Sequence, residues 1–155
     1  MAEISSKQVT ARVLPGRAEP SQEGGKVRKV FITSPDSVTW ANGDTIASGK
    51  ILPAGVRFTA GAIASHAAMA SSVVLSVGIR AADGTAISGA GGAAGIASSV
   101  SVASAGRTAI NNGSLVAAGV EYITTVPCEV YATLSGATPT ANAQIRIEVE
   151  YVGND

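Results

Sequence analysis

The chain has 155 residues with 11 basic and 11 acidic side chains, a formal net charge of zero that makes no bulk electrostatic case for nucleic acid. Hydrophobic residues make up 46%, yet only 4% are aromatic and 14% charged, so small side chains do most of the filling and suit a flat β protein better than a deep ligand pocket. The single cysteine, Cys128, excludes an internal disulfide and any cysteine-based zinc site.

The length fits one domain able to bury a core without staples. Ser6 to Leu14 alternates, with Val9, Ala11 and Val13 on one face and Thr10, Arg12 and Leu14 on the other. Pro15-Gly16 breaks that strand pattern, and Arg17 to Gly25 has the polar, Pro/Gly-containing composition of a linker. Residues 1–25 therefore read as an extended N-terminal arm, and residues 26–155 as the folded domain. Lys26 to Thr33 resumes a strand that ends at Ser34-Pro35-Asp36. Trp40 precedes the tight-turn signal Asn42-Gly43 and reads as a cap on a core edge, with a glycan platform as the alternative.

Gly43 to Phe58 reads as two extended segments joined at Leu52-Pro53-Ala54-Gly55. Pro53 pre-sets its φ and Gly55 supplies freedom just after it. Ser65 to Ala70 is ambiguous between helix and loop. Ser71 to Arg80 is a buried strand with Val73, Leu75, Val77 and Ile79 on one face, and Asp83-Gly84 turns the chain after it. From Ser88 to Gly106, glycines oppose helix, and Ile96, Ser98, Val100 and Val102 alternate with Ala97, Ser99, Ser101 and Ala103 as a smooth strand. Asn111 to Ser114 is a turn, and Gly119–Val126 and Glu129–Leu134 are strands divided at Pro127. Gln144 to Tyr151 closes the chain with Ile145, Ile147, Val149 and Tyr151 facing in. Eight or so short strands with Gly/Pro/Asn turns predict an all-β, single-domain sandwich, jelly-roll-like or alternatively immunoglobulin-like.

Charge is uneven along this order. Residues 1–29 hold six of the eleven basic groups against three acidic ones, while residues 121–155 hold five acidic groups against Arg146. A basic region of this kind is either solvated surface or a contact for acidic surface on a neighbour. Met1-Ala2-Glu3-Ile4 does not open a secretory signal, and no run approaches a membrane span, so a cytosolic, soluble product is expected.

The run Asp44 to Phe58, an aspartate followed by small and apolar residues and then Leu-Pro-Ala-Gly-apolar-Arg-apolar, resembles a segment of small head proteins of tailed bacteriophages. Those are the decoration or cement proteins, typically β-sandwiches of jelly-roll-like or immunoglobulin-like topology. The likeness extends loosely from Val30 to the C-terminus through Ala137-Thr138-Pro139-Thr140 and the last strand. It implies a non-enzymatic virion protein, made in the host cytoplasm, that binds the outer surface of the capsid and stabilises it. The implied partners are the major capsid protein and further copies of the chain, as a homotrimer. Arg12, Arg17, Lys26, Arg28 and Lys29 are the candidate capsid contacts, and Ile96, Val100 and Val102 the candidate self-association residues.

Chemistry has a thin supply. His66 is the only histidine, which excludes a His-rich metal site, and it reads as an exposed loop residue. No Gly-x-Ser-x-Gly elbow is present. Gly89-x-Gly91-x-x-Ala94 lacks the βαβ context of a dinucleotide fingerprint. Glu129 and Glu148 are a conceivable glycosidase pair but more simply solvent-facing strand charges. Asp36 and Asp44 flank the Trp40 loop without a defined calcium loop. Cys128 reads as a buried small hydrophobe. No catalytic residue, cofactor, metal, nucleic acid or membrane is expected. The alternatives are a glycan-binding jelly-roll module of a fibre or tail and, more remotely, a β-sandwich hydrolase.

Overall fold

The computed structural model describes residues 26–117 and 122–153. Eight strands follow in order: β1 (Lys26–Thr33), β2 (Thr45–Leu52), β3 (Arg57–His66), β4 (Val74–Ala81), β5 (Ala97–Ser101), β6 (Gly106–Ala109), β7 (Cys128–Ser135) and β8 (Ile145–Gly153). The first pairs with the last, the second with the seventh, the third with the sixth and the fourth with the fifth, all antiparallel. Rolling such a ribbon gives sheet A, ordered β1-β8-β3-β6, and sheet B, ordered β2-β7-β4-β5. That is the jelly-roll order, and it replaces the immunoglobulin-like alternative. The expected strand Ser6–Leu14 lies outside the described residues.

Alternation decides which face is buried. Leu75, Val77 and Ile79 of β4 face Val130, Ala132 and Leu134 of β7 in register and meet Val30, Ile32, Ile147, Val149 and Tyr151 of sheet A in one core. Trp40 closes an edge of that core, 5% exposed, its indole N–H donating to Ala143 O at 2.9 Å. The glycan-platform alternative fails because the ring is packed inside.

The Leu52–Gly55 corner carries the chain from sheet B to sheet A. Gly55 sits at φ 89°, where a side chain would be strained. Leu52 and Val56 on either side are fully buried. Thr124 fastens the corner from across the fold. Its carbonyl accepts from Gly55 N (2.7 Å), its N–H donates to Val56 O (2.9 Å), and its hydroxyl accepts from Val56 N at 3.0 Å. These bonds commit Thr124 to the corner. The described part of the expected strand 119–126, residues 122–126, is accordingly irregular and not a strand.

The Ser88–Gly106 region also departs from simple alternation. It folds back over sheet B as a 3-10 turn at Gly92–Ala94 before entering β5. Gly78 of β4 makes room for that turn, since a Cβ there would run into the backbone of Gly92 and Ala93. Within β5, Val100 opposes Leu75 and Ala97 opposes Val77, so two residues stand against one. This is a β-bulge, with Ser99 at φ 48°. The bulge turns Ala97 inward in place of Ser98. Among the described residues, helix is confined to that turn and to one turn at Ser114–Ala117.

Candidate functional site

The groups that could have carried chemistry are held apart. Glu129 lies on the outer face of sheet B, where Oε2 accepts from Arg80 Nε (3.2 Å) and Nη2 (2.9 Å) and Oε1 accepts from Gly49 N at 2.9 Å. Glu148 lies on the outer face of sheet A. With the two sheets of the sandwich between them, they share no substrate position. His66 is corrected from an exposed loop residue to the buried end of β3, 8% exposed. Its Nδ1 lies 3.1 Å from Ala67 O, which requires a proton on Nδ1 and leaves Nε2 to accept from the Thr108 hydroxyl at 3.4 Å.

Cys128 is fully buried, and burial pushes its thiol up to about 11, far from a reactive thiolate. Asp44 accepts from Ala41 N at 2.7 Å inside its own turn, and Asp36 is contacted by Gln144 Nε2 at 3.5 Å. Gly91 and Gly92 belong to the 3-10 turn. Among the described residues no three His, Cys, Asp or Glu lie together as a metal site. An open groove of about 480 Å³ runs between residues 81–88 and Thr125–Pro127, with Asp83 as the ionisable group in its lining.

Sheet A presents a different kind of surface. The registers place Val27, Lys29, Phe31 and Thr33 of β1, Arg146, Glu148, Glu150 and Val152 of β8, Arg57, Ile63 and Ser65 of β3, and Arg107 of β6 on one outward face. Four cations stand there against two carboxylates. Val27 is 64% exposed and Phe31 44%. The Arg146 guanidinium lies 5.0 Å from the Phe31 ring centroid, and its Nε is 3.6 Å from Glu148. Lys29 reaches Glu148 at 3.2 Å and Glu150 at 3.6 Å. The hydrogen bond from Lys29, aided by the charges of Arg146 and Arg107, holds the Glu148 carboxyl below its ordinary range. Aromatic and arginine side chains such as Phe31 and Arg146 are of the types enriched in contacts between proteins.

The candidate contacts fall unevenly on this surface. Lys26 is exposed at the start of β1, and Lys29 belongs to the outward face. Arg28 points to the inward side of β1 and is half-buried, in register with Tyr151. Arg12 and Arg17 lie outside the described residues. Of the candidate self-association residues, Ile96 and Val102 are fully buried in the chain's own core, and Val100 packs partly against it. Ser99 and Ser101 face solvent on this segment, while Ile96 and Val102 do not.

Phe31 and Arg146 were not singled out from the sequence. They lie 115 positions apart, and only the β1–β8 pairing brings them together. The alternation of the final strand, with Ile145 and Ile147 facing in, did mark Arg146 as outward.

No protein-family model matches the chain, and no curated protein matches it. Among solved structures, the chain is similar to one described as the cyanophage Pam1 capsid asymmetric unit. The identity is 18%, the match covers 99% of this chain and 94% of that chain, and the TM-score is 0.44.

Proposed function

We propose that this chain is a non-enzymatic structural protein of a bacteriophage head that binds the outer surface of the assembled capsid and stabilises it. The observation that carries the reading is the outward face of sheet A, where exposed Val27 and Phe31 lie among Lys29, Arg57, Arg107 and Arg146 on a rigid sheet. The resemblance of the Asp44–Phe58 segment supports a phage shell as the partner, and the exposure and charge of sheet A support that face as the contact. Apolar groups bury area against the shell, and the excess of positive charge selects acidic surface and raises the encounter rate. Each copy that spans a joint between shell subunits adds contacts that must break before the subunits separate. Copies grouped as a trimer multiply that effect. Lys26 extends the positive field at the β1 side of the face, and Arg12 and Arg17, outside the described residues, remain further candidate contacts.

Particles stripped of this protein provide the test. Wild-type protein should co-sediment with them, and binding should weaken with salt as the screening length shrinks to about 3 Å at 1 M. The pair Phe31→Asp with Arg146→Glu should reduce binding at least about tenfold, equivalent to roughly 1.4 kcal/mol. Ile51→Asp, on the outer face of sheet B, should leave binding unchanged. Equal binding by the sheet A variant and wild type refutes the contact surface, and failure of wild type to bind any phage shell refutes the function.

A further inference from the structure

The four sheet edges are not equivalent. On β2, Ala47 opposes Tyr131 and Ile51 opposes Glu129, so three residues bulge against one and spoil the edge for pairing. On β5, the Asn112 side chain covers Ser98 at two points, accepting from its N–H (2.9 Å) and donating to its carbonyl (2.8 Å). β6 is four residues long. β1 is the exception: eight residues in unbroken register with β8, and no strand on its other side among the described residues.

The hydrogen-bonding parity of β1 is fixed by Ser34, whose N–H donates to Ile145 O at 2.9 Å. Counting back along a regular antiparallel ladder, even-numbered residues of β1 bond to β8. The N–H and C=O of Val27, Lys29, Phe31 and Thr33 therefore point out of the sheet edge. The same four side chains lie on the outward face of sheet A, and its two exposed apolar members, Val27 and Phe31, are four residues apart.

We propose that Ser6–Leu14 of the same chain adds to this edge as a further antiparallel strand, with Val13 opposite Val27, Ala11 opposite Lys29 and Val9 opposite Phe31. Three features select this occupant and register. Val9 and Val13 have the same four-residue spacing as Val27 and Phe31, so one register matches both apolar pairs. Shifting by two residues in either direction sets a valine against Lys29 and leaves both Val27 and Phe31 without one. Residues 15–25 are eleven residues containing Pro15-Gly16 and Gly24-Gly25, ample to reverse the chain across the ~4.8 Å between neighbouring strands. A tethered segment also meets the edge at a high effective concentration, which favours it over a second copy. The register sets Arg12 opposite Arg28, a like-charge pair that costs stability and makes the added strand the weakest of sheet A. This inference does not depend on the phage reading.

Amide hydrogen exchange on the full chain tests it. The amides of Val27, Lys29, Phe31 and Thr33 should be protected in wild type and exchange at least about tenfold faster in Val9→Asp/Val13→Asp, with the β3–β8 amides unchanged. Free exchange of all four in wild type overturns the proposal. Ala11→Cys with Lys29→Cys provides the second readout. A paired position brings the Cα atoms to about 5.5 Å, within disulfide range. An intramolecular bridge is expected, while Ala11→Cys with Thr33→Cys should stay reduced. Bridging only between chains assigns the edge to a second copy and overturns the own-chain reading, as does equal bridging of both pairs.

Discussion

Replacing Thr124 by valine isolates what the Leu52–Gly55 corner needs from the rest of the fold. The side chain keeps nearly the same volume, so no cavity opens, and the two backbone bonds to Gly55 and Val56 remain possible. What is lost is the hydroxyl that accepts from Val56 N at 3.0 Å and lies 3.4 Å from Pro53 O. Val56 is fully buried and Thr124 is 2% exposed, so water cannot take the hydroxyl's place. Stranding a buried N–H costs about 1–3 kcal/mol. We expect a loss of about 2 kcal/mol, which for a domain of this size lowers Tm by roughly 4–8 °C.

Thr124→Ser keeps the hydroxyl and removes one methyl group, for about 1 kcal/mol. Thr125→Val, at an exposed neighbour, should stay within about 0.5 kcal/mol. Urea unfolding at constant m-value measures all three. If the valine variant is as stable as wild type, or more stable than the serine variant, the hydroxyl does not fasten the corner.

Three other outcomes follow from the same geometry. Gly78→Ala should destabilise by about 3 kcal/mol, because its Cβ meets the backbone of the 92–94 turn, whereas Gly106→Ala, with open space around it, should be nearly neutral; thermal melts of the two distinguish a packing effect from a general intolerance of alanine. Cys128 should resist a thiol reagent at pH 8 in the native protein and react stoichiometrically in denaturant, since burial raises its thiol to about 11; rapid native labelling would contradict its placement. The Glu148 carboxyl is held below its ordinary value of 4.5 chiefly by the hydrogen bond from Lys29, so its stabilisation is present above that value and is lost as pH falls through the lower folded value; Glu148→Gln should flatten the acid side of the stability profile, and superimposable profiles would refute this.

The strands that one residue set alone could specify were legible in the sequence. The final strand follows from period-two alternation, because it has one buried and one solvated face and its side chains record both. Asn42-Gly43 and Asp83-Gly84 marked turns because the backbone there needs positive φ, which Gly43 and Gly84 adopt at 91° and 88°.

His66 was misjudged because its small, polar neighbours suggest a loop, while the partner that buries it, Thr108, arrives from β6. Ile96 and Val102 were read as a surface for another copy because alternation separates two faces without telling which one the chain's own core covers. The pairing with β4 settles that, and its bulge turns Ala97 inward as well. The candidate contact face divides in the same way. The sequence marked Lys26–Thr33 as a strand without showing that Val27, Lys29 and Phe31 share its outward face. Their convergence with Arg146, Glu148 and Arg107 required the ribbon to roll so that the first strand pairs with the last. Local pattern is a property of neighbours in the chain and can be read there. Long-range register depends on the whole core closing at once, and it decided which charges meet, which strand ends each sheet among the described residues and which glycine carries another segment's backbone.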